Sequence, residues 1–543
     1  MLTPASSTPA PVGRRTVLRA AGLGGAAAAA AAALSACTGG SAPAATAGPS
    51  GGAASATPAA PGDIDAAGVD RGLAALPAII DRYLKQSTVP GLATTIVYDG
   101  KVRYLEGAGL REFGKTDAVD ADTVFQLASV SKPISATVVA AALTKKRATI
   151  GWDDPVQKVL KDFTLSDPWV GSHVTVADLF AHRSGLPDHS GNLLEGLGYN
   201  REQILTKHRM YPLSRFRDSY YYTNYGLTAG AEAIAVSAGM KWEELADQVL
   251  FGPLGMKNSS FRFTDLQSRH NRAAMHAKVD GTWVPNLTVD TDAQAPAGSS
   301  SASIRDLATW LTMLLANGAD VLDEEQLKRI WLPAIVRPGM PPIGKSAGFY
   351  GLGWIVSYEP TGELRVNHSG GFGLGAATTV TVYPSHGLGI AVITNGPPMG
   401  LPEAIAVEFV DVVRHGASTE ADWMATIGPF VAPEETADNK KYSVAATNPA
   451  PAKGASAYVG RYTSSFYGPL VVSTSSGGLS FTAGLNHERW PLKHYSGDEF
   501  YFTTTGEDES GLSGATFKTA GGRATALTIG AWNHEGLGTF DRA

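Results

Sequence analysis

The stretch Phe125-Gln126-Leu127-Ala128-Ser129-Val130-Ser131-Lys132-Pro133, followed by the apolar run Ile134 to Leu143, constrains this chain more than any other. A helix starting near Ser129 puts the residue three positions on one turn away on the same face, so Lys132 lies beside the Ser129 hydroxyl. An amine held there can take or share the serine's proton. Pro133 is tolerated in a first helical turn, where its missing N–H costs little, and the unpaired N–H groups of that end favour developing negative charge. The spacing alone is weak, because a serine-rich chain this long holds roughly one or two Ser-x-x-Lys by chance. By itself it also fits an exposed helix start with a solvated lysine.

Composition narrows the field. Hydrophobic residues at 44% and charged residues at 17% describe an ordinary globular chain, long enough at 543 residues for several domains. The formal net charge is −6, and Arg14, Arg15 and Arg19 all precede Cys37, so the remainder is more acidic still. That argues against a nucleic-acid partner, which wants a basic footprint.

Residues 1–36 read as an export signal. Gly13-Arg14-Arg15-Thr16-Val17-Leu18-Arg19 is a twin-arginine pattern, and Ala20 to Ala36 is too short and too weakly apolar for a comfortable membrane span. Leu34-Ser35-Ala36-Cys37 resembles a bacterial lipobox, which makes Cys37 the expected lipid-bearing residue and places the protein outside the cytoplasm, anchored to the outer face of the cytoplasmic membrane. Cys37 is the only cysteine, so no internal disulfide can form. Residues 37–63 are Ala, Gly, Pro, Ser and Thr with almost no large apolar side chain and read as a disordered tether. The Gly48-Pro49-Ser50-Gly51-Gly52 inside it matches a nucleophile elbow in form only, since no strand precedes it and no apolar helix follows.

Residues 64–415 form one α/β unit. Leu73, Leu76, Ile79, Ile80 and Leu84 recur at helical spacing, and Leu92 to Tyr98 and Val102 to Glu106 flank the hairpin signal Asp99-Gly100. Thr175 caps a helix through Phe180; Leu227 to Val236, Trp242 to Leu250 and Ile304 to Leu315 are further helical runs. Strands follow at Tyr350 to Tyr358, Leu364 to Asn367, Ala376 to Tyr383 and Leu388 to Thr394, the last two joined by Pro384-Ser385-His386-Gly387, and Leu401 to Val413 closes the unit as a helix. Helices before and after an antiparallel sheet, with a helical insert between, predict a sheet flanked by helices plus a helical subdomain. Residues 416–454, polar and Pro/Ala-rich, read as a linker. Residues 455–543 carry short alternating runs at intervals of about ten residues, the spacing of an antiparallel sandwich or barrel. His487, His494 and His534 there lack metal-ligand spacing.

Two stretches raise Ser129 above coincidence. Tyr220-Tyr221-Tyr222-Thr223-Asn224 offers a Tyr-x-Asn, and His368-Ser369-Gly370-Gly371 lies ahead of the paired strands. A tyrosine beside a lysine is expected to lose its proton more readily, because an ammonium stabilises phenolate. Together these resemble the serine β-lactamase and penicillin-binding-protein superfamily, most of all its class C and related serine-hydrolase branch. The flanks His182-Arg183-Ser184-Gly185-Leu186-Pro187, Pro253-Leu254-Gly255-Met256, Ala295-Pro296-Ala297-Gly298 and Tyr350-Gly351-Leu352-Gly353-Trp354 carry the likeness further.

The resemblance implies a β-lactamase-like fold and an acyl-enzyme mechanism. Ser129 attacks a carbonyl, Lys132 and Tyr222 move protons, Asn224 positions substrate and lysine, His368, Ser369 and Gly370 line the substrate strand, and the N–H groups of Ser129 and Gly371 form the oxyanion hole. No metal or other cofactor is implied. The third motif departs from the Lys-Thr-Gly of β-lactamases: histidine titrates near neutrality, so a substrate carboxylate is expected to be held by His368 more weakly and with pH dependence. Ser131 is expected to pack or hydrogen-bond, Tyr221 and Tyr225 to be core, and His182 to be structural; Trp354 fits core or cleft equally. Residues 455–543 resemble the small lipocalin-like barrel appended to some of these hydrolases, including self-compartmentalising peptidases in which it aids assembly or covers the cleft. The expected function is an exported serine hydrolase of amide or ester bonds in a small-molecule or peptide substrate. A class C-type β-lactamase, a non-catalytic penicillin-binding or sensor lipoprotein, and an envelope lipoprotein whose barrel is the working part stay open, as does oligomeric state.

Overall fold

The computed structural model describes residues 62–543 apart from 288, 338–346, 432–434, 476 and 508; Cys37 and the segment before residue 62 lie outside the described residues. The chain opens with helix α1 (Ala66–Ser87), capped by the Asp65 carboxylate on Gly68 N–H. The hairpin β1 (Gly91–Tyr98) and β2 (Lys101–Gly109) turns at Asp99-Gly100, both at positive φ, as a two-residue hairpin demands. Helix α2 (Ser131–Thr144), short α3 (Val176–Phe180), α4 (Asn224–Ser237) and α5 (Ile304–Leu315) follow. Then come β3 (Ile335–Val336), β4 (Phe349–Tyr350), β5 (Ile355–Tyr358), β6 (Leu364–Phe372), β7 (Ala376–Tyr383), β8 (Leu388–Thr394) and helix α6 (Leu401–His415).

The eight strands form one antiparallel sheet in the order β2-β1-β8-β7-β6-β5-β4-β3. Strand alternation divides its two faces. Leu92, Ile96, Ile390 and Val392 pack under α1 and α6 with Tyr83 and Phe409, whereas Ala93, Val97, Ala391 and Ile393 join the core of α2, α4 and α5. Helix α2 is apolar all round and accordingly buried from Ser131 to Ala142. Trp354 belongs to the core, fully buried and stacked on Trp310 at 5.7 Å. Two strand boundaries differ from the sequence reading. Tyr350 to Tyr358 is interrupted at Gly351–Trp354, where Gly353 takes a positive φ, and the third motif lies inside β6 rather than ahead of the paired strands.

Part of the stretch read as linker is ordered. Helix α7 (Trp423–Val431) sets Trp423, Ile427 and Val431 into the α1–α6 core, and α8 (Ala437–Tyr442) reaches the last domain, where Tyr442 Oη donates to Glu499 at 2.6 Å. A few apolar anchors at helical spacing outweigh a polar average. Beyond it lie β9 (Gly460–Ser464), β10 (Gly468–Ser475), β11 (Gly478–Ala483), β12 (Glu488–Pro491), β13 (Lys493–Ser496), β14 (Glu499–Thr503), β15 (Leu512–Ala520), β16 (Arg523–Ile529) and β17 (Thr539–Arg542). They pair antiparallel in the order β12-β11-β10-β9-β17-β16-β15-β14-β13, a nearly closed barrel. Its interior is filled by Phe481, Trp490, Phe502 and Trp532, with Phe481 stacked on Trp490 at 5.0 Å. The barrel docks on the helical subdomain: Tyr199 Oη donates to the Tyr467 carbonyl at 3.0 Å, and the Tyr211 and Phe466 rings meet edge to face at 4.9 Å. Among the described residues no helix is long and apolar enough to cross a membrane.

Candidate active site

Ser129 stands in a single 3₁₀ turn, Ala128–Val130, that runs into α2. Ala128 just before it adopts φ +48, a left-handed conformation that costs a residue with a Cβ about 1–3 kcal/mol and recurs where a nucleophile must be presented. The turn is held from both sides. Leu127 N–H donates to the Ser300 carbonyl at 2.9 Å, Thr378 Oγ1 donates to the Leu127 carbonyl at 2.8 Å, and the Ser131 hydroxyl meets that of Ser300 at 2.6 Å. Ser131 is thus a hydrogen-bonding residue, as its place in the motif predicts. Ser129 itself stays half-buried.

Lys132, one turn on, is fully buried, with Nζ 2.9 Å from Ser129 Oγ and donating to the Ala297 carbonyl at 3.0 Å. No carboxylate offsets the lost hydration, so burial holds the amine well below the usual lysine range. A neutral amine has a lone pair, and the Ala297 carbonyl occupies one N–H while Oγ lies at hydrogen-bond distance. Across from it the Tyr222 ring faces Nζ at 4.5 Å from its centroid. Burial pushes the Tyr222 phenol well above its usual value, the Ser129 hydroxyl only opposing that shift. The expectation that Lys132 eases the Tyr222 proton away is therefore overturned: removal from water lowers the amine and raises the phenol, so each charged form is disfavoured.

The loop that carries Tyr222 is pinned. Its N–H donates to the Asp188 carboxylate, Thr223 N–H donates to His182 Nδ1 at 3.2 Å, and His182 packs on the Tyr222 ring at 4.6 Å. Asp178, buried at the end of its capping box with Thr175, takes ion pairs from Arg183 and Arg217 and ties the two loops together. His182 is structural. Tyr225 is core, whereas Tyr221 is 38% exposed and is not. Asn224 opens α4, with Nδ2 donating to Asn192 Oδ1 at 3.3 Å and a buried Oδ1 without a partner. Its expected contact with the lysine is made instead by Ala297.

Strand β6 brings the third motif alongside. Gly370 turns its Cα face to the nucleophile: a Cβ there would stand 2.7 Å from Ser129 N and 2.4 Å from Leu127 O. Residues two apart share that face and the one between points away. His368 therefore lies on the cleft side and Ser369 on the back, where its hydroxyl meets Thr379 Oγ1 at 3.1 Å and bonds the Glu403 carboxyl. The expectation that the Ser369 side chain lines the substrate strand is corrected by this register. His368 does not act as a titrating anchor either. Its ring is fully buried, Nδ1 donates to the Ser369 carbonyl at 2.7 Å, Nε2 accepts from Tyr350 Oη at 2.9 Å, and burial with Lys132 nearby drives it down to about 3. A neutral imidazole with both nitrogens engaged offers a carboxylate neither charge nor donor. Strand β5 pairs with β6 only as far as Asn367, so among the described residues that edge of β6 has no strand partner from His368 to Phe372, and Gly371 is half-buried there.

Residues 76–412 match the family described as Beta-lactamase. The chain belongs to the beta-lactamase family. Residues 445–537 match a second family, described as a domain of unknown function, DUF3471. An unguisins hydrolase of Aspergillus campestris is 26% identical over 72% of this chain and 75% of its own length. The D-alanyl-D-alanine-carboxypeptidase/endopeptidase AmpH of Escherichia coli is 24% identical over 59% of this chain and 84% of its own. The octameric penicillin-binding protein homologue from Pyrococcus abyssi shares the fold at a TM-score of 0.55 and 20% identity, over 84% of this chain and 98% of that one. As a beta-lactamase family member this chain is a serine hydrolase, and its small-molecule or peptide substrate follows from that.

Several residues of this beta-lactamase family site were not singled out from sequence: the Ala297 carbonyl, Asp188, Tyr350 and Glu403. The first left a signal only in its small-residue stretch Ala295–Gly298, since a backbone carbonyl has no residue identity. Glu403, in the first turn of α6 behind β6, is 6% exposed, and burial raises its carboxyl to about 7. A raised carboxylate contributes stability in full below its ordinary 4.5 and loses it as the pH climbs through about 7. Glu403→Gln should therefore flatten the stability profile between pH 5 and 8 and gain up to roughly 3 kcal/mol at pH 8. Urea midpoints at the two pH values test this; a variant no more stable than wild type at pH 8 counts against a neutral buried carboxyl.

Proposed function

We propose that this chain is an exported, lipid-tethered hydrolase that forms an acyl-enzyme through Ser129 on amide or ester bonds of small peptides. The observation that carries the reading is a half-buried serine whose hydroxyl lies 2.9 Å from an amine that burial holds well below the usual lysine range. Lys132 takes the Ser129 proton as the hydroxyl adds to the carbonyl. The Tyr222 phenol, facing the same hydroxyl, hands its proton to the leaving group as the proton taken by Lys132 passes back to it, which restores both groups before Tyr222 helps orient the deacylating water. The N–H groups of Ser129 and Gly371 hold the oxyanion, each worth about 3–4 kcal/mol in the transition state. The unpartnered Asn224 Oδ1 accepts from a substrate N–H, and the unpaired edge of β6 takes the substrate backbone as an added strand.

Esters and amides that carry no carboxylate are favoured over β-lactams, because His368, driven down to about 3 with both ring nitrogens engaged, gives a substrate carboxylate no cation. The names of the hydrolase and carboxypeptidase/endopeptidase relatives support hydrolysis and, for the second, a peptide substrate. Export and the tether rest on the twin-arginine pattern and on Cys37.

The test is labelling of the purified protein with a fluorescent fluorophosphonate, with rates on a p-nitrophenyl ester, a D-alanyl dipeptide and nitrocefin. Ser129→Ala is expected to abolish labelling and cut hydrolysis by at least about 10³-fold. Nitrocefin should be the poorest substrate. Labelling that survives in Ser129→Ala defeats the reading, and fastest turnover of nitrocefin would return it to a β-lactamase proper. In the same cells Cys37→Ala should move the protein from the membrane to the soluble fraction; unchanged fractionation removes the tether.

A further inference from the structure

Glu507 of the barrel reaches the end of β6 beside the site. Glu507, in the loop after β14, accepts from Gly373 N–H at 2.7 Å and from Leu374 N–H at 3.3 Å. Those two amides form the tip of the β6–β7 hairpin, two and three residues beyond Gly371. The ends of the loop that carries Glu507 are tied together: Thr504 N–H donates to the Gly511 carbonyl at 2.9 Å, Ser510 N–H to Thr504 Oγ1 at 2.7 Å, and Trp490 Nε1 to Thr505 Oγ1 at 2.9 Å. On the other side of the tip, Gly375 sits at φ +128 against the His276 backbone, and Phe372 and Ala376 pack with Ala128, the strained residue before Ser129.

Among the described residues β6 has a strand partner on one side only from His368 onward. Its end is therefore placed by β7, by the apolar contact with Ala128 and by whatever grips the tip. We propose that Glu507 is a positioning residue for the reaction: by clasping the Gly373 and Leu374 amides it sets the Gly371 N–H over Ser129, so the C-terminal barrel completes the oxyanion hole of the preceding domain. This rests on the hydrolase reading above and adds a dependence of catalysis on the barrel. The two N–H groups converge on one carboxylate, a charge-assisted pair that water or a neutral side chain holds less firmly. A donor displaced by about an ångström loses much of its transition-state contact while substrate binding, spread along the strand edge, changes little.

Full-length Glu507→Ala and Glu507→Gln are compared with wild type by ester hydrolysis, thermal melting and hydrogen exchange of the peptide spanning residues 371–376. In Glu507→Ala we expect kcat to fall about 10- to 100-fold with KM within about threefold, and the Gly373 and Leu374 amides to exchange faster. Glu507→Gln keeps one acceptor oxygen and should fall between the two; it also serves if the alanine variant does not fold. Wild-type kcat in either folded variant overturns the proposal, as does a loss that vanishes when rates are normalised to folded protein, or unchanged exchange at the tip. Should wild type itself hydrolyse nothing, the hydrolase reading fails on its own account, and exchange alone then decides whether Glu507 grips the hairpin.

Discussion

Lys132→Met is expected to lower kcat by about 10²- to 10⁴-fold while the protein stays folded. Methionine fills the same fully buried slot with an unbranched apolar chain, so the packing cost is of order 1 kcal/mol, with the Ala297 carbonyl left unpaired as a further cost of about 1–3 kcal/mol. What disappears is the lone pair 2.9 Å from Ser129 Oγ. The pH profile separates loss of the base from general damage. The wild-type amine titrates well below the ordinary lysine range, so it is protonated and idle in acid and becomes a base as the pH rises through its lowered value. Wild-type kcat/KM should therefore climb along that limb, and the residual rate of Lys132→Met should lack it. A variant within tenfold of wild type, or one that keeps the limb, would mean that another group takes the Ser129 proton.

Gly370→Ala should be nearly as severe for a different reason. A methyl at that position would lie 2.4 Å from Leu127 O, 2.6 Å from Thr378 Oγ1 and 2.7 Å from Ser129 N. Two of these are backbone atoms of the turn that presents the nucleophile, so no rotamer change relieves the clash. Strand β6 and the Ser129 turn must move apart, which separates the Gly371 N–H from the Ser129 N–H and breaks the Thr378 bridge to Leu127. We expect kcat to drop about 10²-fold or more and stability to fall by about 1–3 kcal/mol, read from ester kinetics and urea denaturation. Retention of kcat within threefold would show that the strand does not need to lie this close.

Much of the site was legible because its chemistry is local. Ser129 and Lys132 are three residues apart on one helix, so the backbone itself makes them neighbours whatever surrounds them. The capping box at Thr175, the Asp99-Gly100 hairpin and the bounds of α5 likewise depend on residues a few positions apart. The third motif shows where such reading ends. Residue types place His368 and Ser369 together in the strand, but which of them faces the nucleophile depends on the register of β6 against β7 and on the approach of the Ser129 turn. The protonation of His368, Lys132 and Tyr222 depends on burial by α2, α4 and β4, whose contributions converge from distant parts of the chain.

The amino-acid sequence by itself carried the resemblance to the family, the Ser-x-x-Lys and Tyr-x-Asn segments and an α/β unit followed by a β-rich one, because motifs and periodicity belong to neighbouring residues. Only the tertiary structure decided that burial lowers the lysine and raises the tyrosine, that the histidine of the third motif bonds Tyr350, that Ala297 rather than Asn224 holds the amine, and that Glu507 bonds the hairpin beyond Gly371. Each of these is a matter of which groups lose water and which distant backbone they meet, and neither is written in any short stretch of the chain.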